Sequence, residues 1–259
     1  MNPLETILTQ IAAITDAEIQ KLVHDPVELL TRVIQPVLWL LMFGEVFARV
    51  RGIPTGNIPY QAFLVPGVLA QSALFISIFF GISAIWERDL GVLYKYMMSP
   101  APREALVLGK ALAAGVRGLS QAIMVYAIGL LIGVHLRVTL EAVLGVCVVI
   151  VLGAAVFCTF SLIIACIVKT RERFMGIGQV LTMPLFFASS AIYPLSLMPG
   201  WLKAVAMINP LTYQVDALRT FMLAGYQSTF GLVTDFGVQL GIFALLLVLA
   251  ARMYPLILT

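Results

Sequence analysis

The chain has 259 residues, of which 61% are hydrophobic and 11% charged, with a formal net charge of +3. Ordinary soluble domains carry roughly 45–50% apolar and about 25% charged residues. That balance nearly excludes a water-soluble enzyme, a disordered chain and a nucleic-acid binder, since the small basic excess is spread along the chain rather than gathered into a phosphate-binding patch. The expectation is an all-α, multi-pass membrane protein.

Residues 1–24 come first, with Leu4, Ile7, Leu8, Ile11 and Ile14 at 3–4 spacing and polar residues opposite. That pattern predicts an amphipathic helix lying in the cytoplasmic interface, or packed on a soluble partner. Glu5, Asp16 and Glu18 fall in this stretch and no basic region precedes an apolar core, so no cleavable signal peptide is expected.

A bilayer-crossing helix takes about 20 apolar residues. Six such windows are predicted, at 29–48, 60–86, 106–134, 142–168, 174–194 and 236–254. The first is interrupted by Arg32, Gln35 and Glu45, the second and fourth carry no charge, and the third encloses Arg117. Residues 195–234 are cut by Pro199 and Pro210 into pieces too short to cross. They read as short helices that dip into the outer leaflet and return, with Trp201 and Tyr213 as headgroup anchors.

Orientation follows the Lys/Arg bias of the loops. With both termini cytoplasmic, Lys21, Arg32, Arg88, Lys95, Arg103, Lys110, Lys169, Arg171, Arg173 and Arg252 lie inside. Arg49, Arg51, Arg137, Lys203 and Arg219 lie outside. The reading is a cytoplasmic (inner) membrane protein of a prokaryote.

The inventory offers no catalytic machinery. Two histidines, His24 and His135, sit near opposite faces, and no metal-binding spacing, nucleophile motif or phosphate loop occurs. Neither a cofactor nor a metal is therefore expected in this chain. Cys147, Cys158 and Cys166 fall on one predicted helix, too far apart for a disulfide, and read as buried hydrophobes.

Ionisable groups inside a membrane are functional candidates. Arg103, Lys110 and Arg117 recur every seven residues and share a helix face. Two readings of Arg117 stand: it snorkels or pairs with a polar neighbour, or it meets an anionic substrate headgroup. Trp39 and Phe43, with Phe75, Phe79 and Phe80, form aromatic rows at helical spacing. They either face lipid or form a stacking lane for an amphiphile or sugar. Gly129 and Gly133 form a GxxxG pattern that permits close helix contact.

The loop at 87–103 opens with charges, Glu87-Arg88-Asp89, and continues through Leu90, Gly91 and Leu93 to the break Ser99-Pro100-Ala101-Pro102-Arg103. A short interfacial helix ending in a double-proline break presents a knob to the cytosol. Further on stands Asn209-Pro210-Leu211-Thr212-Tyr213-Gln214-Val215-Asp216-Ala217-Leu218-Arg219. With the Asp25-Pro26 opening of the first window, these strings resemble the permease subunit of ABC-2 type exporters, the group with daunorubicin-resistance and nodulation-factor export permeases.

The resemblance implies a division of labour. Two permease copies, identical or homologous, would form the pathway, and two ATPase subunits carrying ATP and Mg would dock beneath. Glu87, Arg88, Asp89, Leu90, Gly91, Leu93, Ser99 and Arg171 would meet the ATPase, through a coupling helix and a second loop around Arg171. Asn209, Pro210, Tyr213 and Asp216 would belong to the outer gate. Trp39, Phe43, Phe75, Phe79 and Arg117 are the candidate substrate-pathway residues. The implied cargo is hydrophobic or amphiphilic, a drug or lipid, with a lipo-oligosaccharide or polysaccharide as the alternative. A self-sufficient six-helix carrier or channel is the competing class. It would call for mid-membrane carboxylates, and Glu45, near a span end, is the one candidate.

Overall fold

The structure, a computed structural model, describes residues 9, 12–13, 15–17, 19–20, 24, 26–48, 58–94, 102–168 and 170–258. Those of 1–24 that are described are helical, and the Thr15 hydroxyl donates to the Gly109 carbonyl at 3.4 Å. Leu4, Ile7, Leu8, Ile11, Ile14, Arg49, Arg51, Lys95, Ser99, Pro100 and Lys169 lie outside the described residues.

Helix α1 (Pro26–Leu38) runs into a π-helical turn (Trp39–Phe43) and a short α2 (Gly44–Ala48). Pro36 has no N–H to offer the Arg32 carbonyl one turn back. Gln121 supplies the missing donor, its Nε2 lying 3.2 Å from that oxygen. Next come α3 (Tyr60–Phe80) and α4 (Ile82–Asp89), nearly continuous across Gly81. At the break the Ile78 carbonyl accepts from Gly81 N–H and from the Ser161 hydroxyl. A polar backbone group in an apolar bundle is thereby kept satisfied.

Helices α5 (Arg103–Leu131) and α6 (Leu140–Ile167) form a long hairpin. Gly133, at φ +85°, ends α5: its N–H bonds the Leu130 carbonyl, and Val134 N–H bonds that of Gly129. These are the two bonds of a Schellman cap. Gly133 is therefore a helix stop rather than half of a GxxxG packing face. Gly129 alone packs against a neighbour, facing Leu136 and Val65. Thr139 caps α6 and Thr170 caps α7 (Arg171–Phe187), each accepting an N–H three residues on.

After a 3₁₀ turn (Leu195–Leu197) come α8 (Gly200–Ile208), α9 (Pro210–Met222) and α10 (Leu232–Met253), and a final 3₁₀ stretch at Tyr254–Leu258. Uncharged after its first turn, α6 is the hub, packed against α3, α5, α9 and α10. Cys158 and Cys166 are buried, Cys147 is half-buried, and all three are free thiols.

Four helical stretches among the described residues are long and apolar enough to cross a membrane: Tyr60–Asp89, Arg103–Leu131, Leu140–Ile167 and Leu232–Met253. The first expected window is a helix divided by the π turn. The fifth is the 17-residue α7, which ends at Phe187 instead of reaching residue 194. It stops there because the Asn209 side chain takes up the Leu185 carbonyl at the end of α7 and the Ala188 carbonyl just after it.

Gly67 on α3 lies directly against the Ala191 backbone, so a Cβ there would overlap the Ala191 carbonyl. Gly176 on α7 has open space around it. We expect Gly67→Ala to lower stability by about 1–3 kcal/mol, as overpacking does. Gly176→Ala should be neutral or slightly stabilising. Thermal unfolding of both variants in the same detergent checks this; equal midpoints would contradict the contact.

Candidate functional site

Among the described residues, three polar regions stand out in a mostly apolar bundle. The first lies at the end where α4 stops and α5 and α7 begin. Lys110 on α5 reaches Glu87 at 2.7 Å and Ser83 at 3.2 Å, and both charged side chains are buried. Two turns deeper on the same face, the Arg117 guanidinium sits 4.9 Å from the Phe80 ring centroid. The seven-residue spacing therefore aims Lys110 and Arg117 at α3 and α4.

Just outside this brace, Arg171 lies 3.7 Å over the Trp86 ring and 2.8 Å from the Asp89 carboxylate. Asp89 also pairs with Arg88 at 2.9 Å. Gly91, at φ +71°, closes α4 through a bond to the Arg88 carbonyl. Leu90 is 71% exposed, whereas Leu93 is buried among the apolar residues at this end. Of the expected motor contacts, then, Arg88, Asp89, Leu90 and Arg171 are at or near the surface, while Glu87 and Leu93 point inward and fasten the segment. Ser99 lies outside the described residues.

The second region is a cleft of about 190 Å³ between α1, α3 and α5, lined by Arg32, Gln35, Ser72, Phe75, Phe79 and Gln121 among others. Phe75 and Phe79 stack at 6.1 Å on its wall. Trp39 and Phe43 stack on each other at 4.3 Å, but Trp39 turns to Phe186 and Phe43 to Phe47. The two aromatic rows are thus separate surfaces, and Phe80 is a buried core residue. Arg32 and Gln121 are cleft residues that sequence reading missed, because only the folded bundle brings α1 and α5 to one cavity.

The third region is at the opposite end, around α9. Asn209 caps this helix, accepting Leu211 N–H at 3.0 Å, and Pro210 occupies the first turn, where no N–H is needed. The Asp216 carboxylate accepts from the Tyr226 hydroxyl (2.7 Å), the Ser228 hydroxyl (2.8 Å), the Thr229 N–H and hydroxyl (2.7 and 3.0 Å) and Phe230 N–H (3.2 Å). Ser228 also lies 2.9 Å from Asp235 on α10. Burial pushes the Tyr226 hydroxyl above its ordinary range while the Arg219 charge pulls it back, so it stays a donor to Asp216.

One turn along, Arg219 is 2% exposed. Its Nη2 donates to the Ser190 and Ala191 carbonyls at 2.6 and 3.2 Å, and its guanidinium lies 3.5 Å from the Phe63 ring centroid. Tyr60 adds a donor to the Ile192 carbonyl at 3.0 Å. Arg219 is therefore a buried fastening group rather than an exposed outer charge. Tyr213, expected as a headgroup anchor, is also buried, its hydroxyl donating to the Met207 carbonyl at 2.6 Å. Trp201 is 71% exposed. Arg219 was legible as part of the Asn209–Arg219 string; Tyr226, Ser228, Thr229 and Asp235 carried no local signal.

Residues 9–223 match the family described as ABC-2 type transporter. Over 234 residues the chain is 29% identical to the daunorubicin resistance ABC transporter permease protein DrrB1 of Streptomyces coeruleorubidus, covering 89% of this chain and 81% of the relative. It is 28% identical over 196 residues to ycf38 of Cyanophora paradoxa, covering 75% and 67%. The inner membrane transport permease YadH of Escherichia coli K12 is 25% identical over 214 residues, covering 79% and 80%. With most of its length matched and apolar helices suited to multi-pass membrane transport, the chain belongs to the ABC-2 type transporter family as a membrane permease.

Proposed function

We propose that this chain is the permease subunit of an ATP-driven exporter that moves a hydrophobic or amphiphilic molecule, a drug, lipid or lipid-linked compound, outward across a prokaryotic inner membrane. In this reading the chain crosses six times with both termini cytoplasmic. The interrupted first helix and the 17-residue α7 supply the crossings beyond the four long apolar stretches. Two permease copies line the route, and two separate ATPase subunits bind ATP and Mg. The drug-resistance function named for DrrB1 supports outward movement of such a cargo.

One observation supports the proposal most directly: the Arg171 clamp on Asp89 and Trp86 joins the C-terminal end of α4 to the start of α7. Beside it the Glu87–Lys110 pair joins α4 to α5. An ATPase pressing on Arg88, Asp89, Leu90 and Arg171 therefore moves three helices together. A flexible loop would absorb the same push. Ser99 and Gly91 complete the docking segment. At the other end, Asn209, Pro210, Tyr213 and Asp216 frame the exit gate, while Trp39, Phe43, Phe75, Phe79 and Arg117 border the cargo route.

Two measurements test this reading. The chain reconstituted with its ATPase should move a fluorescent amphiphile only when ATP is present; equal movement by the chain alone would overturn it. Asp89→Arg or Arg171→Asp alone should reduce transport per ATP several-fold with little loss of stability, because exposed pairs contribute about 0.2–1 kcal/mol. The double swap should recover most of the coupling.

Glu87→Ala is expected to behave differently, leaving the Lys110 ammonium buried without its carboxylate. Breaking such a pair costs about 3–5 kcal/mol, so its thermal midpoint should fall clearly. Glu87→Ala combined with Lys110→Met should regain much of that loss.

A further inference from the structure

Helix α10 (Leu232–Met253) rises ~33 Å if straight, close to the thickness of a bilayer core. It is the least embedded of the four long apolar helices: 11% of its most apolar stretch is buried, against 50–72% in the other three. Its buried residues fall in two places, Asp235 and Gln239 near the start and Ala250 and Ala251 near the end. Open apolar grooves flank its middle. One of about 610 Å³ lies between α5, α6 and α10, beside Leu240 and Phe243. Another of about 250 Å³ lies between α6, α9 and α10, beside Ile242 and Leu246.

At the inner end α10 continues without a break into the 3₁₀ stretch Tyr254–Leu258, since Tyr254 N–H still bonds the Ala250 carbonyl. That stretch packs on α4 and α6. Tyr254 and Ile257 are buried, and they share one apolar cluster with Ala84 and Ile85 of α4 and with Leu93 just beyond it. At the outer end Asp235 N–H bonds the Gly231 carbonyl, and the Asp235 carboxylate lies 2.9 Å from the Ser228 hydroxyl. Ser228 also lies 2.8 Å from Asp216, which takes the Thr229 and Phe230 N–H groups as well. One helix thus has the segment around Leu90 at one end and the 226–231 loop at the other.

We propose that α10 is a strut that carries displacement of the α4 end to the 226–231 loop, with Tyr254 and Ile257 as its positioning residues at the inner end and Asp235 at the outer. A helix is stiff along its axis because its hydrogen bonds run that way, and rigid elements of this kind carry coupling between distant sites. Packed helices shift by about 1–2 Å in such transitions. Val148, Val151 and Phe157 are among the residues that α6 presents to the two grooves, so a small slide of α10 meets no polar contact there. The inference rests on the permease reading only for the source of the push, an ATPase at Arg88, Asp89, Leu90 and Arg171.

The test follows hydrogen–deuterium exchange of the full chain in detergent, on peptides covering 226–231. The Thr229, Phe230 and Gly231 amides in them report the outer tie. Ile257→Ala should speed exchange there several-fold, although Ile257 lies at the far end of α10. Leu106→Ala is the control: it removes a buried side chain from the same inner cluster, but from α5, and should leave 226–231 unchanged. Asp235→Ala should speed exchange directly. Adding Ile257→Ala to it should give no further rise, whereas unconnected distant sites add. If Ile257→Ala does not fold, Ile257→Val read against Val107→Ala takes its place.

With the ATPase bound, ATP should change exchange at 226–231 in the wild type, and Ile257→Ala should lose that response while still co-purifying with the ATPase. A wild type that neither binds the ATPase nor responds to ATP counts against the permease reading, and the strut is then judged on the chain alone. Equal exchange at 226–231 in the wild type and Ile257→Ala, an equal rise in Leu106→Ala, or full additivity of Asp235→Ala and Ile257→Ala overturns the proposal. A response to ATP that survives Ile257→Ala intact does the same.

Discussion

The end of α7 and the turn that follows it expose a row of carbonyl oxygens inside an apolar bundle, and side chains packed around it supply donors to most of them. Asn209 serves Leu185 and Ala188, Arg219 serves Ser190 and Ala191, and Tyr60 serves Ile192. Irregular backbone at membrane depth is tolerated only when protein or water supplies such partners. This one requirement draws α9 down against α3, demands a glycine at position 67, and explains why an arginine is buried there at all.

The same requirement shapes the rest of the molecule on a smaller scale. Gln121 answers the carbonyl that Pro36 releases, and Ser161 answers the carbonyl at the Gly81 break. In each case a polar side chain on one helix corrects a backbone irregularity on its neighbour. Such pairs also fix the neighbours' register, since a displaced helix would leave two polar groups unsatisfied instead of one. The bundle therefore has two stiff ends: the α9 network, and the Lys110–Glu87 brace with the Arg171 clamp. Between them lies an apolar middle around α6. That arrangement suits a protein whose helices move as bodies.

Much of this was readable in advance, for a simple reason. Helix existence in a bilayer is set by apolar length, and Leu140–Ile167 or Leu232–Met253 declare themselves within a few residues of their ends. Termination was less legible. The fifth helix stops at Phe187 because of a side chain more than 20 residues later, and no local pattern carries that information. Gly133 was misread for a related reason: a GxxxG spacing is identical whether its second glycine packs a helix or ends one. Side-chain direction was the weakest inference. Glu87, Tyr213 and Arg219 each looked like surface groups beside a loop, and each is turned inward to a partner distant in sequence.

Composition and spacing by themselves determined that this is a helical membrane protein of a recognisable permease type, where its long apolar helices lie, and which two strings carry most of its polar chemistry. Those properties depend on local hydrophobicity and on residue order, which a linear chain states outright. Only the tertiary structure decided which polar side chains are fasteners and which remain available, that Trp39 and Phe75 border different surfaces, and that α10 is tied at both of its ends. These depend on which helices touch and on which donors are already spent, and that accounting exists only after the helices have packed.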